Sequence, residues 1–247
     1  MRVAALYDIH GNLPAFEAVV AEVRNAHVDL VIIGGDVLPG PMPRECLDLA
    51  LKLGIPTRFI IGNGDRETIA ARRGTMSEKI PAMFQEAMRW NGAQLTPDDQ
   101  RAIEGWPPTT RIRIDGIGEA LFCHATPRND TEIFLTTTAD EKLRPIFDPL
   151  NVQLVVCGHT HMQFDRMVGT TRIINAGSVG MPFQAAGAYW VLIGPGVELR
   201  RTGYDFESAA VRVQATAYPQ ATPCAASILA PPSELATLEQ FKNAELK

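Results

Sequence analysis

Acidic and histidine side chains follow the short apolar runs of this sequence, at the point where each run ends. The first run, residues 3–7, is followed by Asp8 and His10. A short apolar run is typical of a buried strand, and in open α/β sheets ligands bind beyond the carboxyl ends of the strands. Asp8 and His10 are therefore candidates for a polar site at the edge of a sheet.

The same arrangement recurs along the chain. Four of the five histidines follow an apolar run, and His27 is the exception. One buried histidine is usually a satisfied polar group of the core, but four at strand ends, together with acidic residues, indicate a site. The further candidates that follow apolar runs are Asp36, Asn63, His124, His159 and His161.

The chemistry of this set is that of a metal centre. Imidazole, carboxylate and amide-oxygen ligands suit a divalent ion such as manganese, iron, zinc, cobalt or nickel. The absence of cysteine from the set argues against a structural zinc site. Seven candidate ligands are too many for one ion. They suit two ions that share a carboxylate, which is the arrangement used in two-metal hydrolysis of phosphate esters.

The apolar patterns predict how the first three strands are positioned. Pro14 and apolar residues at helical spacing predict a helix after the first strand, and a second helix is predicted over residues 44–53. Further strands are predicted at residues 29–33 and 57–61. Alternating strands and helices indicate a parallel sheet built from right-handed crossovers, which brings the strand ends to one edge.

The rest of the chain follows other patterns. Residues 66–106 are charge-rich and predicted to be helical, and we expect them to flank the site. After residue 109 the apolar period becomes two, which is typical of half-buried strands. Turns at residues 115–118, 169–170 and 195–196 predict three hairpins. The second half is therefore rich in antiparallel strands, and we expect two stacked sheets with helices outside.

The domain boundary is predicted near residue 205. We expect one domain over residues 1–205 and a C-terminal extension over residues 206–247. In the extension, residues 207–217 suit a helix, and the Pro-, Ala- and Thr-rich residues 219–232 predict a linker. Ser233 is a candidate N-cap of a terminal helix.

Composition restricts the function classes. The net charge of −5 argues against broad electrostatic binding of nucleic acid, and no apolar run approaches the ~18 residues of a membrane span. The first residues lead directly into a strand, without the layout of a signal peptide. The four cysteines form no CxxC pair and suit reduced thiols. We therefore expect a cytoplasmic protein without membrane contact, and a homo-oligomer is left open.

The ordered motifs of this chain resemble those of the calcineurin-like metallophosphoesterases. The resemblance covers about residues 1–205. The Asp-Ile-His-Gly-Asn start and residues 175–180 are similar to the small prokaryotic phosphodiesterases of that superfamily. The motifs that carry the resemblance are Asp8-x-His10, Gly35-Asp36, Gly62-Asn63, His124 and Gly158-His159-Thr160-His161.

The resemblance implies a fold and a ligand arrangement. The implied fold class is α/β (α+β), a four-layer αββα sandwich of two mixed β-sheets flanked by helices. The implied cofactors are two divalent metal ions; manganese is the expected ion, and iron, zinc, nickel, cobalt and magnesium are alternatives. The implied ligands are Asp8, His10 and His161 on one ion, Asn63, His124 and His159 on the other, and Asp36 bridging both.

The resemblance also implies an activity. A hydroxide activated between the two metals would hydrolyse a small phosphate-ester substrate, more readily a phosphodiester than a monoester, with Asp36, Asn63 and His124 as catalytic residues. The Asn63 amide is also a candidate for contact with a phosphate oxygen. Asn12 and Arg128 lie beside the motifs and are candidates for substrate contacts, against the simpler roles of a loop cap and a solvated side chain.

The third motif departs from the family pattern at Gly64. Many relatives carry a histidine there, a proposed proton donor to the leaving group, and general acid catalysis is typically worth about 10²–10⁴-fold. We therefore expect leaving groups of low pKa, including aryl groups, to be favoured. Asp65 is a candidate substitute donor, although support of the ligands is its more expected role. Met181 and Phe183 stand where relatives often carry polar or basic residues.

Two alternatives to a phosphodiesterase are left open. A nucleotide or dinucleoside polyphosphate hydrolase would use Arg72 and Arg73 to hold the polyphosphate, although such a pair more often forms a solvated helix face. A non-catalytic scaffold would resemble the retromer subunit of similar fold, whose site is degraded. The complete set of ligand residues argues against a scaffold, and Gly64 argues mildly for one.

Overall fold

Two five-stranded sheets stack face to face in the computed structural model, which describes residues 1–78 and 80–246. Helices cover the outer faces of both sheets, so the predicted four-layer αββα sandwich is confirmed. The strands are β1 (Val3–Leu6), β2 (Leu30–Ile33), β3 (Thr57–Phe59), β4 (Thr109–Ile114), β5 (Gly118–Cys123), β6 (Leu154–Cys157), β7 (Phe164–Val168), β8 (Thr171–Asn175), β9 (Ala188–Ile193) and β10 (Val197–Thr202).

The helices connect the strands of the first sheet and cover both sheets. The predicted helices after the first and second strands, the helical segment and the terminal helix are all present. The helices are α1 (Leu13–Asn25), α2 (Pro43–Leu51), α3 (Asn63–Arg73), α4 (Ala82–Gln94), α5 (Pro97–Glu104), α6 (Asp140–Phe147), α7 (Phe206–Gln214), α8 (Ala221–Leu229) and α9 (Glu234–Phe241).

Both sheets are mixed, and each has parallel strands at its centre. The first sheet has the order β10-β9-β1-β2-β3, in which β1, β2 and β3 run parallel and β9 pairs antiparallel with β1. The second sheet has the order β4-β5-β6-β8-β7, in which β5, β6 and β8 run parallel. Since parallel strands end at a common edge, the loops that follow β1, β2 and β3, and those that follow β5 and β6, can meet across the sandwich.

The first strand shows why the sheets stack. All of β1 is buried, and its side chains alternate between two cores, as strand geometry requires. Ala4 and Leu6 pack in the cluster that contains α1 and α2, whereas Val3, Ala5 and Tyr7 pack between the two sheets. A continuous apolar run is therefore a strand covered on both faces.

The helix α1 fixes the loop that carries the first motif. Asn12 is its N-cap, and the Asn12 Oδ1 accepts a hydrogen bond from Ala15 N at 3.2 Å. Pro14 lies in the first turn, where the missing N–H costs nothing. Phe16 and Val19 form part of the buried stripe at helical spacing. The local sequence thus determines where the loop after β1 ends.

The C-terminal extension differs from the prediction at residues 219–232. The sequence predicts a linker there, but Ala221–Leu229 form the helix α8, which packs beside α7. Ala225 and Ile228 are buried against Val213 of α7, and this apolar contact stabilises a helix that composition alone does not reveal. The expected N-cap of α9 is present, with Ser233 Oγ accepting from Ala236 N at 3.3 Å.

The described residues contain no helix that is long and apolar enough to cross a membrane. The four cysteines are free thiols, and three of them are buried.

Candidate metal centre

The seven candidate ligands lie on loops at the carboxyl ends of strands from both sheets. Asp8 and His10 follow β1, Asp36 follows β2, and Asn63 begins α3 after β3. His124 follows β5, and the remaining two histidines follow β6. The stacked sheets thereby bring together residues as distant in the chain as Asp8 and His161, which are 153 positions apart.

Backbone strain is concentrated in these loops. A left-handed conformation costs an L-residue roughly 1–2 kcal/mol, and residues held in it cluster at functional sites. Neighbouring backbone bonds hold this conformation, such as Asp8 N to Gly35 O at 3.1 Å and His10 N to Asp36 O at 3.0 Å. Five of the seven candidate ligands have positive φ: Asp8 (54°), His10 (46°), Asp36 (52°), His159 (68°) and His161 (59°).

The first group of candidate ligands consists of Asp8, His10 and His161. The Asp8 Oδ1 lies 3.2 Å from His161 Nε2 and 3.8 Å from His10 Nε2. The two Nε2 atoms lie 3.1 Å apart. One oxygen and two nitrogens therefore surround one point, at a spacing that suits three ligands of a single ion.

Backbone carbonyls fix the ring orientation of three of the histidines. The Nδ1 of His10 lies 3.2 Å from Pro39 O, and the Nδ1 of His161 lies 2.7 Å from Met181 O. A third bond of this kind joins His124 Nδ1 to Gly34 O at 3.0 Å. A carbonyl oxygen only accepts, so each Nδ1 must donate, and each neutral ring then has its lone pair on Nε2. This arrangement is common for metal-ligating histidines, because it fixes the tautomer.

The second group consists of Asn63, His124 and His159. The Asn63 Oδ1 lies 3.1 Å from His124 Nε2. If the amide were turned over, its nitrogen would lie 3.1 Å from His124 Nε2 and 2.9 Å from His159 Nδ1 and would donate to both. In either orientation one amide atom of Asn63 lies close to an imidazole nitrogen of both histidines, so these three side chains lie together.

Asp36 lies between the two groups. Its Oδ2 is 3.7 Å from His10 Nε2 in the first group and 3.6 Å from His124 Nε2 in the second. Its Oδ1 accepts a hydrogen bond from Gly64 N at 2.7 Å, which holds the carboxylate in place. Asp36 is therefore positioned to contact ions in both groups.

The chemistry of the set fits a divalent cation. The Asp8 Oδ1 is buried and has no hydrogen-bond partner among the described residues, and a buried carboxylate oxygen without a partner is costly. Around it, the Nε2 lone pairs of His10, His124 and His161 face each other or face oxygen atoms. A cation satisfies all of these acceptors at once, whereas protons would satisfy only some of them.

Burial and neighbouring charges shift the pKa values in the direction that ligation needs. Burial, together with His124, lowers the pKa of His159 to about 4. Burial and His161 also lower the pKa of His10. Burial opposes the charged form of Asp8, but the surrounding imidazoles, His161 first, hold its pKa well below its usual range.

His124 is the exception among the histidines. Burial lowers its pKa, but the carboxylates of Asp36 and Asp8 outweigh burial and raise it. Protons therefore compete for His124 more strongly than for His159. A neutral imidazole is required for metal binding.

Asp65 holds the backbone of the ligand loops through hydrogen bonds. Its fully buried carboxylate accepts hydrogen bonds from Asp36 N at 2.8 Å, Leu38 N at 3.0 Å and Gly62 N at 3.2 Å. Burial and the Asp36 charge raise its pKa to about 8, against the three backbone donors that lower it. Both Asp65 oxygens accept from backbone N–H groups of the ligand loops, so this side chain holds those loops in position.

Gly64 has no room for a side chain. A Cβ atom at this position would lie 2.4 Å from Leu38 O and 2.8 Å from Pro39 Cδ. The close approach lets the Gly64 N–H donate to Asp36 Oδ1. The packing of this loop therefore leaves no space at position 64 for the histidine that many relatives carry.

The two other predicted substrate contacts, Asn12 and Arg128, already have partners within the protein. The Asn12 Nδ2 donates to Gly180 O at 2.8 Å and to Tyr204 OH at 3.3 Å, while its Oδ1 caps α1. Both Asn12 amide hydrogens are thus already used. The Arg128 guanidinium is half exposed, pairs with Glu132 at 2.8 Å and lines a cavity whose wall also includes His124.

A cavity of about 240 Å³ opens over the candidate ligands. His10, Asp36, Asn63, His159 and His161 form its polar side. Its other walls include four residues that the sequence does not identify as part of a site. In the sequence they have only the pattern of ordinary surface or core positions. They are Phe84 and Met88 of α4, and Tyr218 and Gln220 just before α8.

Met181 and Phe183 both contact the first ligand group. The Met181 carbonyl accepts from His161, its side chain lines the cavity, and the Phe183 ring lies 4.5 Å from the His161 ring. Apolar groups therefore occupy the place where relatives often carry polar or basic residues.

Comparison with known proteins identifies the fold and its family. The family model described as the calcineurin-like phosphoesterase superfamily domain matches residues 1–194. An uncharacterised protein of Methanocaldococcus jannaschii is 26% identical over 199 residues, which cover 73% of this chain and 76% of that protein.

Two solved structures share the architecture over nearly all of the chain. A hypothetical protein from Pyrococcus horikoshii OT3 superposes with a TM-score of 0.77 at 18% identity, covering 94% of this chain and 99% of that one. A metallophosphoesterase from Sphaerobacter thermophilus superposes with a TM-score of 0.71 at 24% identity, covering 94% and 100% of the two chains. Both likenesses include part of the C-terminal extension, because each reaches beyond 205 residues.

Proposed function

Because the chain belongs to the calcineurin-like phosphoesterase superfamily, we propose that it hydrolyses phosphodiesters with two divalent metal ions bound at the candidate metal centre. The observation that carries this proposal is the position of Asp36. Its Oδ2 lies 3.7 Å from His10 Nε2 and 3.6 Å from His124 Nε2, which is the position of a carboxylate shared by two ions.

Each group of ligands would hold one ion, and manganese is the ion we expect. When bound, two such cations lower the pKa of a water between them and clamp the phosphate oxygens for in-line displacement. Iron, zinc, nickel, cobalt and magnesium are alternatives. The proposed ligands are Asp8, His10 and His161 for the first ion, Asn63, His124 and His159 for the second, and Asp36 for both.

The protein supplies orientation and charge balance. Hydrogen bonds from the imidazoles to backbone carbonyls, and from Gly64 N–H to the Asp36 carboxylate, hold the ligand atoms in place before any ion binds. Asp8 and Asp36 are the two acidic residues in the set, so two divalent ions keep a net positive charge. That charge attracts an anionic phosphate group although the whole chain is acidic.

A diester is favoured over a monoester by the walls of the cavity. Among the described residues that line it, none is arginine or lysine. The second negative charge of a monoester dianion would therefore have only the metal ions as cationic partners, whereas a diester carries a single charge. The substrate of this proposal is thus a small phosphodiester.

The positions of Arg72 and Arg73 do not favour a polyphosphate substrate. Arg72 donates to Gly92 O at 2.9 Å and to Gln100 Oε1 at 3.0 Å, and Arg73 pairs with Glu104 at 2.7 Å. Neither arginine lines the cavity over the metal centre. A scaffold role is disfavoured because the strained ligand loops and the buried Asp8 oxygen have no structural use without an ion.

Metal analysis combined with a diester assay tests the proposal. Protein prepared without chelator should contain close to two ions per chain and hydrolyse bis-p-nitrophenyl phosphate faster than p-nitrophenyl phosphate with added manganese. Asp36→Asn should lose at least one ion and diester turnover. Asp115→Asn is the matched control, because the Asp115 side chain is 91% exposed and forms an ion pair with the N-terminus. Two bound ions without turnover of any ester would refute the proposal.

A further inference from the structure

A second cavity, of about 180 Å³, adjoins the metal centre on the side of the C-terminal extension. We call it the side cavity. His10, Phe84, Met181 and Gln220 line both the side cavity and the cavity over the metal centre. The two cavities therefore adjoin at these residues, and the side cavity lies next to the space that a molecule bound at the metal centre would occupy.

The side cavity has mainly apolar walls supplied by the C-terminal extension. Val213 of α7 forms one part of the wall, and Pro223, Cys224 and Ile228 of α8 form another. Val213 and Ile228 belong to an apolar cluster that includes Met42, next to α2. The part of the extension that forms this wall is thus packed against residues 1–205.

Polar contacts fix the extension against the helices on both sides of the cavity. The Gln220 Nε2 donates to Met83 O at 2.6 Å, which joins the start of α8 to α4. Arg212 of α7 pairs with Glu17 of α1 at 2.8 Å. Phe84, the neighbour of Met83, stays 45% exposed although it lines both cavities. An exposed aromatic ring beside an apolar cavity gains from a ligand that covers it.

We propose that the side cavity binds one ester group of the phosphodiester and that this group is an uncharged aryl or alkyl group. This inference rests on the proposed function, because the phosphate would lie at the metal ions. A charged group is excluded since the described residues that line the side cavity include no arginine, lysine, aspartate or glutamate, and an unpaired charge is costly to bury.

A sugar or another group rich in hydroxyls fits this cavity poorly. Such a group would find few free partners, because the Asn12 amide hydrogens already bind Gly180 and Tyr204 and one Gln220 amide hydrogen binds Met83. The C-terminal extension is therefore assigned as the part of the chain that selects apolar esters. Ser227 lies in the cavity wall on α8 and is the position at which the volume can be reduced.

Two diesters with the same leaving group test this assignment. We compare phenyl p-nitrophenyl phosphate with methyl p-nitrophenyl phosphate, using the metal-loaded full chain and following p-nitrophenolate. Burial of a phenyl group in place of a methyl group should raise kcat/KM by about tenfold or more, mainly through KM. Ser227→Phe fills the cavity and should reduce this preference to about twofold or less. Ala226→Phe adds the same ring to the exposed side of α8 and should keep the preference.

A direct binding measurement separates this inference from the proposed function. Calorimetric titration of the metal-loaded protein with phenylphosphonate and methylphosphonate should show tighter binding of the phenyl compound, again lost in Ser227→Phe and kept in Ala226→Phe. Circular dichroism and metal content must match wild type in both variants. Diester turnover without phenyl preference, or a preference that survives Ser227→Phe, would overturn the side-cavity assignment and leave the proposed function standing. Phenyl-selective binding without turnover of any ester would support the assignment and refute the proposed function.

Discussion

The Nε2 atoms of His10 and His161 lie 3.1 Å apart, although 151 positions separate the two residues in the chain. Each ring donates through Nδ1 to a backbone carbonyl, so two lone pairs face each other beside the Asp8 carboxylate. This contact is repulsive without a cation and favourable with one. The stability of the protein should therefore depend on bound metal.

Metal binding is tested by replacing one of these histidines. We expect manganese to raise the Tm of chelator-treated wild-type protein, because a ligand at 100 times its Kd adds about 2.7 kcal/mol to the free energy of unfolding. His161→Gln should lose one ion by elemental analysis and show a smaller Tm increase. His27→Gln is the matched control, since His27 is exposed, lies outside the site and shares a positive φ of 49°. Equal metal content in the two variants would contradict the ligand assignment.

Substitution of Gly64 should destabilise the protein without restoring a proton donor. In Gly64→Ala the new Cβ would meet Leu38 O at 2.4 Å, and overpacking of this kind costs roughly 1–3 kcal/mol. The Tm should fall by about 2–4 °C for each kcal/mol in a chain of this size. Gly64→His should be worse and should show no gain in hydrolysis.

The matched control for Gly64 is Gly203→Ala. No atom lies within 4 Å of a Cβ at Gly203, so the same chemical change should leave the Tm within about 1 °C, as for an ordinary surface substitution. A stable and more active Gly64→His variant would show that the loop can rearrange.

The missing histidine also predicts a dependence on the leaving group. Methyl p-nitrophenyl phosphate and methyl phenyl phosphate differ only in the pKa of the phenol that leaves. Without a general acid at position 64, we expect the p-nitrophenyl ester to react at least about 10²-fold faster in single-turnover experiments, within the range that general acids contribute. Equal single-turnover rates would mean that another group protonates the leaving oxygen.

The stability of the metal-free protein should fall in mild acid. The pKa of His159 is lowered from 6.5 to about 4 in the folded state. Between these two pH values His159 is therefore protonated in the unfolded chain and neutral in the folded chain. Between pH 6.5 and 4 this difference should remove about 3 kcal/mol of the free energy of unfolding. Urea denaturation in the presence of chelator measures the slope.

The contribution of His159 is isolated by His159→Gln, which cannot titrate. The variant should show a shallower loss of stability between pH 6.5 and 4 than the wild type. His124 acts with the opposite sign, because its raised pKa gives stability that is present below pH 6.5 and is lost as the pH rises above that. Parallel slopes for wild type and variant would show that His159 is not buried in its neutral form.

Local sequence determined the elements that carry the ligands. Short continuous apolar runs specify buried strands, because alternate side chains of β1 enter two cores. Cap residues such as Asn12 and Ser233 specify where helices begin. The seven candidate ligands were identifiable because polar residues directly after buried strands must lie at a sheet edge.

Only the tertiary structure decided which of these residues meet and what else surrounds them. The pairing of β1 with β9, the position of Asp36 between two groups and the use of the Asn12 amide in loop contacts depend on atoms distant in sequence. The helix α8 and its cavity wall also escaped prediction, since Ala225 and Ile228 are buried by α7 and not by any local pattern. The spacing of residues along the chain determines which face of one helix or strand is apolar. The site depends on how separate helices and strands pack against each other, which local spacing does not specify.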